Sequence, residues 1–299
     1  MTTETKIDVY QIVTDRIIEL LEKGTVPWQQ PWRSGMLPMN LLSKRSYKGI
    51  NVWLLASLNY EINAWLTFEQ LKQLGGSVLR GEHGTIICFW KTIKKGDDLE
   101  EEENTAKKPH SILKYYKVFN VAQCTGIPEE MIPKIEVSEH EPILECEAII
   151  TGMPNCPPIK FKEQRAYYNP DADYINMPKK KSFLSTELYY STLFHEMIHS
   201  TGHSSRLSRK TLTEMNEFGG EAYSKEELVA EIGSCYLSNF AGILQKNICD
   251  STAYIDGWLK QLKNDKRFIV FAASQAQRAA DYILNIAPEE KGEADVVQV

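Results

Sequence analysis

LFHEMIHSTGH, residues 193–203, constrains this chain more than any other stretch. It contains His195-Glu196-Met197-Ile198-His199, the pattern H-E-x-x-H, and on a helix residues i and i+4 project from one face. The two imidazoles then converge on one divalent ion, with Glu196 beside them as the general base. The competing account is a pair of solvated histidines on a polar face. Leu193, Phe194, Met197 and Ile198 argue against it, because they make this helix largely apolar, as a helix lining a buried site is.

A catalytic zinc needs a third protein ligand and one open position. Ser205 stands where the extended pattern H-E-x-x-H-x-x-G-x-x-H would put its last histidine, so that subclass is disfavoured. A better source is EELVAE, residues 226–231, on a second helix crossing the first. One carboxylate there can reach the metal, and another four residues further on lies one turn along the same face, placed to accept the outer N–H of a ligating histidine. Glu227 and Glu231 have this spacing, and Glu226 competes with Glu227 for the ligand role. On this assignment Glu226→Ala leaves the metal bound. The expected cofactor is zinc or another divalent metal such as manganese. Tyr167, Tyr168, His203 and Tyr223 are available as oxyanion donors, and the sequence does not choose among them. The strand-like residues 167–177 could present an edge to an extended peptide.

The rest of the chain gives this site its setting. It has 299 residues, 42% hydrophobic and 25% charged, a globular composition with length for about two domains. No apolar run approaches the roughly 18 residues of a membrane span, and the first eight residues are polar, so a cytoplasmic protein is expected. Six cysteines without a C-x-x-C pair read as reduced thiols. The net charge of −6 is unevenly spread. Residues 23–95 hold ten Lys/Arg against three acids, whereas residues 120–299 hold 18 against 26. The basic part invites a polyanion.

Ile7, Tyr10, Val13, Ile17 and Leu20 predict a first helix stopped by Gly24, and residues 51–60 a second. Thr67 with Gln70 is a capping box for a short helix ending at Gly75-Gly76. Residues 86–91 and 115–121 read as strands around an acidic loop, 96–108. Further helices are expected over 184–201, 226–240, 254–262 and 267–286, and the tail after Pro288 reads as frayed. The fold class is α+β: a small α/β domain, 1–127, a linker, 128–142, and a second domain, 143–299. Trp28, Trp32, Arg33, Lys44, Arg45, Tyr47, Lys48, Trp53, Trp65 and Trp90 interleave bases and aromatics, the combination that binds single-stranded DNA by tracking phosphates and stacking bases. Trp and Tyr in a small domain are most often core or rim, so this composition alone does not carry the claim.

These motifs resemble the ArdC-like antirestriction proteins of conjugative plasmids and mobile elements. In the first half the matches are Pro27-Trp28 with Pro31-Trp32, NLLSKRSYKGIN (40–51), WLTFEQ from Trp65 and GEHG from Gly81. In the second they are YYNPDADYINMP from Tyr167, LFHEMIHSTGHSSRLSR from Leu193, EELVAEIG from Glu226 and YIDGWLKQLKNDKR from Tyr254. The resemblance implies a single-stranded-DNA-binding domain followed by a zincin-like metallopeptidase domain that together protect incoming DNA from host restriction. It implies metal ligands at His195, His199 and a glutamate placed at Glu227, with Glu196 catalytic. The DNA contacts are expected, from the basic and aromatic residues themselves, among Trp32, Arg33, Lys44, Arg45, Tyr47 and Lys48. A host protein substrate follows from the peptidase reading. The alternative is a DNA-shielding protein whose metal domain is a scaffold or docking surface.

Overall fold

The computed structural model describes residues 8–29, 37–93, 110–134, 142–213, 221–243, 252–287 and 297–298. The acidic loop 96–108 expected from the sequence, together with Trp32 and Arg33, lies outside them. Asp8 opens α1 (Val9–Glu22) by accepting from the Gln11 N–H, and the helix buries Val13, Ile17 and Leu21 on one face. Gly24, at φ 74°, turns the chain out of it in a conformation that costs a glycine nothing. A single 3-10 turn, Pro27–Gln29, follows and buries Trp28 completely.

The first half is built on β1 (Met39–Asn40), α2 (Ile50–Ala56), β2 (Ala64–Thr67), α3 (Phe68–Gln73), β3 (Ser77–Val78), β4 (Thr85–Ile93), β5 (His110–Asn120) and β6 (Cys124–Thr125). The capping box is formed: Thr67 accepts from the Gln70 N–H, and Gln70 reaches back to the Thr67 N–H. Strand β4 pairs antiparallel with β5 along its whole length, from Thr85 opposite Val118 to Ile93 opposite His110.

The second half comprises α4 (Pro142–Gly152), β7 (Ile159–Lys160), β8 (Tyr167–Asn169), β9 (Tyr174–Asn176), α5 (Thr186–Thr201), α6 (Lys210–Thr213), α7 (Glu221–Phe240), α8 (Thr252–Asn264), α9 (Phe268–Ile283) and β10 (Val297–Gln298). The larger sheet has the order β1-β2-β5-β4-β10. Part of the tail expected to fray thus pairs with β4, Val297 opposite Trp90. A second sheet, β7-β9-β8, packs on α5.

Gly233 lets α5 and α7 approach closely, since a Cβ there would lie 2.6 Å from Ile198 Cδ1. Buried Ala272, Ala273, Ala276, Ala279 and Ala280 give α9 a thin face toward the same pair. The main core crosses the boundary between the halves: Val13, Ile17, Trp28 and Trp53 belong to one cluster with Leu193, Phe194, Leu237, Trp258 and Ile269. Among the described residues no helix is long and apolar enough to cross a membrane.

Candidate metal centre

Ser185 caps α5 by accepting from the Leu188 N–H. The helix then runs into the core, and by its second half His195, Glu196 and His199 are buried. The two Nε2 atoms lie 3.1 Å apart. From α7, Glu227 places Oε2 3.5 Å from His195 Nε2 and Oε1 3.5 Å from His199 Nε2. Donors held about 2.0–2.1 Å from a tetrahedral ion are separated by roughly 3.3–3.4 Å. The three spacings therefore fit a divalent ion, and among the described residues these three form a cluster of His and Glu that could hold one.

Behind the inner donors lies a ring of carboxylates. Glu231 Oε2 is 3.8 Å from His195 Nδ1, beyond hydrogen-bond range. His199 Nδ1 faces Glu226 Oε1 at 3.4 Å. Glu226 therefore faces the outer nitrogen of His199 and stands outside the group formed by His195, His199 and Glu227. Its carboxylate takes hydrogen bonds from Arg209 at both oxygens and from Thr211 Oγ1. Arg209 also holds the end of α5, donating to the Ile198 carbonyl at 2.8 Å. Sequence reasoning missed Arg209: in a polar stretch it looks like surface charge, and only the fold buries it.

Electrostatics follow this geometry. Burial opposes protonation of His199, but Glu226 and Glu227 outweigh it and raise its pKa to about 9. His195 is likewise raised well above its ordinary value against burial, by Glu227 and Glu231. Burial would raise the Glu226 carboxyl, yet Arg209 and His199 bring it down to about 2. Glu227 is lowered further still, burial again being overcome, here by both histidines. Without an ion, the cluster is a charge-paired one.

The other candidates are engaged elsewhere. The Tyr168 hydroxyl donates to Asp173 and accepts from Arg206, Tyr167 bonds Tyr174 and Glu163, and His203 bonds Ser205. The side chain of Tyr223 lies outside the described residues. In the first half, Lys44 and Arg45 are exposed and Lys48 is half-buried. Tyr47 is a correction: at 1% exposure it packs with Leu55, Trp65, Ile87 and Val118, and its ring offers no face to a base. Trp28, Trp53 and Trp65 are core for the same reason, each fully buried. Trp90 is partly buried against Tyr10 and Phe271.

Fold and site together define a two-part α+β protein whose second part is zincin-like. Residues 147–275 match the family model for a zincin-like metallopeptidase, and residues 7–119 match that for the N-terminal domain of the anti-restriction factor ArdC. The metal-free crystal structure of the antirestriction protein ArdC of plasmid R388 superimposes with a TM-score of 0.74 at 38% identity, over 93% of this chain and 97% of that one. Its Mn(II)-bound structure gives the same TM-score at 37% identity, over 93% and 98%. The chain belongs to the ArdC family of antirestriction proteins. An uncharacterized protein of Sinorhizobium fredii, y4eC, is 31% identical over 94% of this chain and 93% of that protein. Two Escherichia coli proteins named DNA primase TraC are each 33% identical over 94% of this chain, which spans only 27% and 20% of their lengths.

Proposed function

We propose that the protein is a DNA-associated metallopeptidase that protects incoming DNA from host restriction. His195, His199 and Glu227 hold a divalent metal, zinc or manganese, Glu226 and Glu231 orient the two histidines from outside, and the first half binds single-stranded DNA through Lys44, Arg45 and Lys48. When bound, the ion supplies Lewis acidity: it polarises a carbonyl and lowers the pKa of water toward neutrality. Glu196 accepts the water's proton and returns it to the leaving amine. The Nδ1 partners keep each imidazole in the orientation that turns Nε2 inward.

One observation carries the hydrolytic reading. Glu196 is only 8% exposed, next to His195, and its carboxylate takes no hydrogen bond from any other described residue. A carboxylate beside the His/Glu cluster that is committed to no structural hydrogen bond is available to take a proton, as a general base must be. The test is protection of DNA entering a restricting host by conjugation, with metal content measured alongside. Glu196→Gln is expected to keep the metal and lose protection, because an amide cannot accept that proton. Full protection by the Gln variant at wild-type metal content would refute hydrolysis and favour the shielding alternative.

A further inference from the structure

Gln29 lies in the first half of the chain, yet its side chain ends at the metal centre of the second. The turn that carries it is pinned. Val26, Pro27 and Trp28 are buried, and the Trp28 ring meets Trp258 of α8 edge-on, with centroids 5.3 Å apart. With its neighbour fixed in the core, Gln29 is aimed at α7. Its Nε2 donates to Glu231 Oε1 at 2.9 Å. The other oxygen of the same carboxylate, Oε2, is the one 3.8 Å from His195 Nδ1. Glu231 is 1% exposed, and His195 Nδ1 is buried with no hydrogen bond inside normal range. A hydrogen bond to one oxygen restricts the rotation of a carboxylate about its last bond. The Gln29 amide holds that oxygen and leaves its twin facing the histidine.

We propose that Gln29 is a positioning residue for the metal centre: by fixing Glu231 it sets the outer contact of His195, so the first half of the chain completes a site whose inner donors all come from the second. The inference rests on the metal-centre reading above. Gln29 touches neither ion nor substrate. Its effect passes through Glu231, which keeps the His195 proton on Nδ1 and the Nε2 lone pair free for the ion.

The test is a Co(II) titration of the metal-stripped intact chain, followed by the visible absorption of the bound ion. Gln29→Met keeps the length and removes the donor, and Gln29→Asn keeps the donor and cannot reach. Both are expected to bind Co(II) about tenfold more weakly, the low end of the range for outer partners of a ligand, and to shift the visible spectrum. Glu231→Gln should lose at least as much, and Gln29→Met with Glu231→Gln no more than Glu231→Gln alone, since residues acting in series are not additive. Wild-type affinity and spectrum in both Gln29 variants, or losses that multiply in the double variant, would overturn the proposal. His195→Ala separates the two levels of the argument. If it binds Co(II) as wild type does, the metal centre itself is misread. If it does not, wild-type Gln29 variants count against Gln29 alone.

Discussion

Glu226, Glu227 and Glu231 share one helix and have three different surroundings, which sets three different expectations for their removal. Glu227→Ala deletes an inner donor and should lose metal as sharply as His195→Ala or His199→Ala. Glu231→Ala should weaken binding by about 10–100-fold, the range for an outer partner. Glu226→Ala leaves the Arg209 guanidinium buried without its carboxylate, which costs about 3–5 kcal/mol of stability, and frees the His199 ring as well. Metal titration and denaturant unfolding of the three variants distinguish these outcomes, and equal losses at Glu227 and Glu231 would reverse their roles. A pH dependence follows too. With His199 raised to about 9 in the metal-free protein, the folded state holds that proton more tightly than the unfolded chain does. This contribution is complete below the unfolded value of about 6.5 and is lost as pH rises through about 9. Metal-stripped protein should therefore lose stability over that interval, whereas the loaded protein should be weakened by acid, as protons compete for its ligands. Thermal unfolding of both forms from about pH 6 to 9 checks the sign, and a metal-free protein that gains stability across the interval rejects it. The inner site was legible because helical spacing alone converges His195 and His199. Glu226 was not, because its partner Arg209 reaches it through the fold from outside α7.

Helix crossings turn these residues into a site, and the α5–α7 crossing depends on Gly233. An alanine there gains about 1 kcal/mol of helix propensity and meets Ile198 at 2.6 Å, an overpacking that costs about 1–3 kcal/mol. The expected result is a net loss of up to about 2 kcal/mol together with weaker metal binding, because the glutamates of α7 are pushed from the histidines of α5. Unchanged metal affinity in Gly233→Ala would mean the crossing has slack. The β8–β9 turn is tied to the segment after α5 by the ion pair of Arg206 with the half-buried Asp173. Burial alone would raise the Asp173 carboxyl, but Arg206 and Tyr168 hold it below its ordinary value. The pair therefore supports the fold above the usual carboxylate range and is lost as pH falls through the lowered one. Elements with clear periodicity or a local cap were readable in advance: α1, α3 with its capping box, the β4–β5 hairpin, and α5, α8 and α9. Others were not. In α4, ILECEAIITG is apolar around much of its circumference, so no face stands out. The two-residue β1 and β10 exist only through partners distant in sequence, Ala64–Trp65 and Phe89–Trp90.

At the scale of the molecule, one core joins the halves that charge and motif divide. Trp53 packs on Tyr236, whose hydroxyl donates to the Gly49 carbonyl, and the Gly49 N–H donates to Gln277. A fragment ending near residue 127 would expose Trp28 and Trp53 to water, at roughly 1.5–3 kcal/mol for each large apolar side chain, so the proposed DNA binding belongs to the intact chain. Burial of Trp28, Tyr47, Trp53 and Trp65 also moves the weight of that binding from stacking to phosphate contacts. Lys44 and Arg45 project from the turn after β1, with Lys48 just beyond. Each cation that neutralises a phosphate of a single strand contributes about 0.7 to the slope of log affinity against log salt. Reversing Lys44, Arg45 and Lys48 to Glu should therefore weaken binding to a single-stranded oligonucleotide and flatten that slope by about 2, with little dependence on base sequence. The comparison uses the intact chain with metal content verified, so that a loss at the basic turn is not mistaken for damage to the centre. An unchanged salt slope in the triple variant would place the DNA contacts elsewhere, and duplex bound as tightly as single strands would remove the single-strand reading itself.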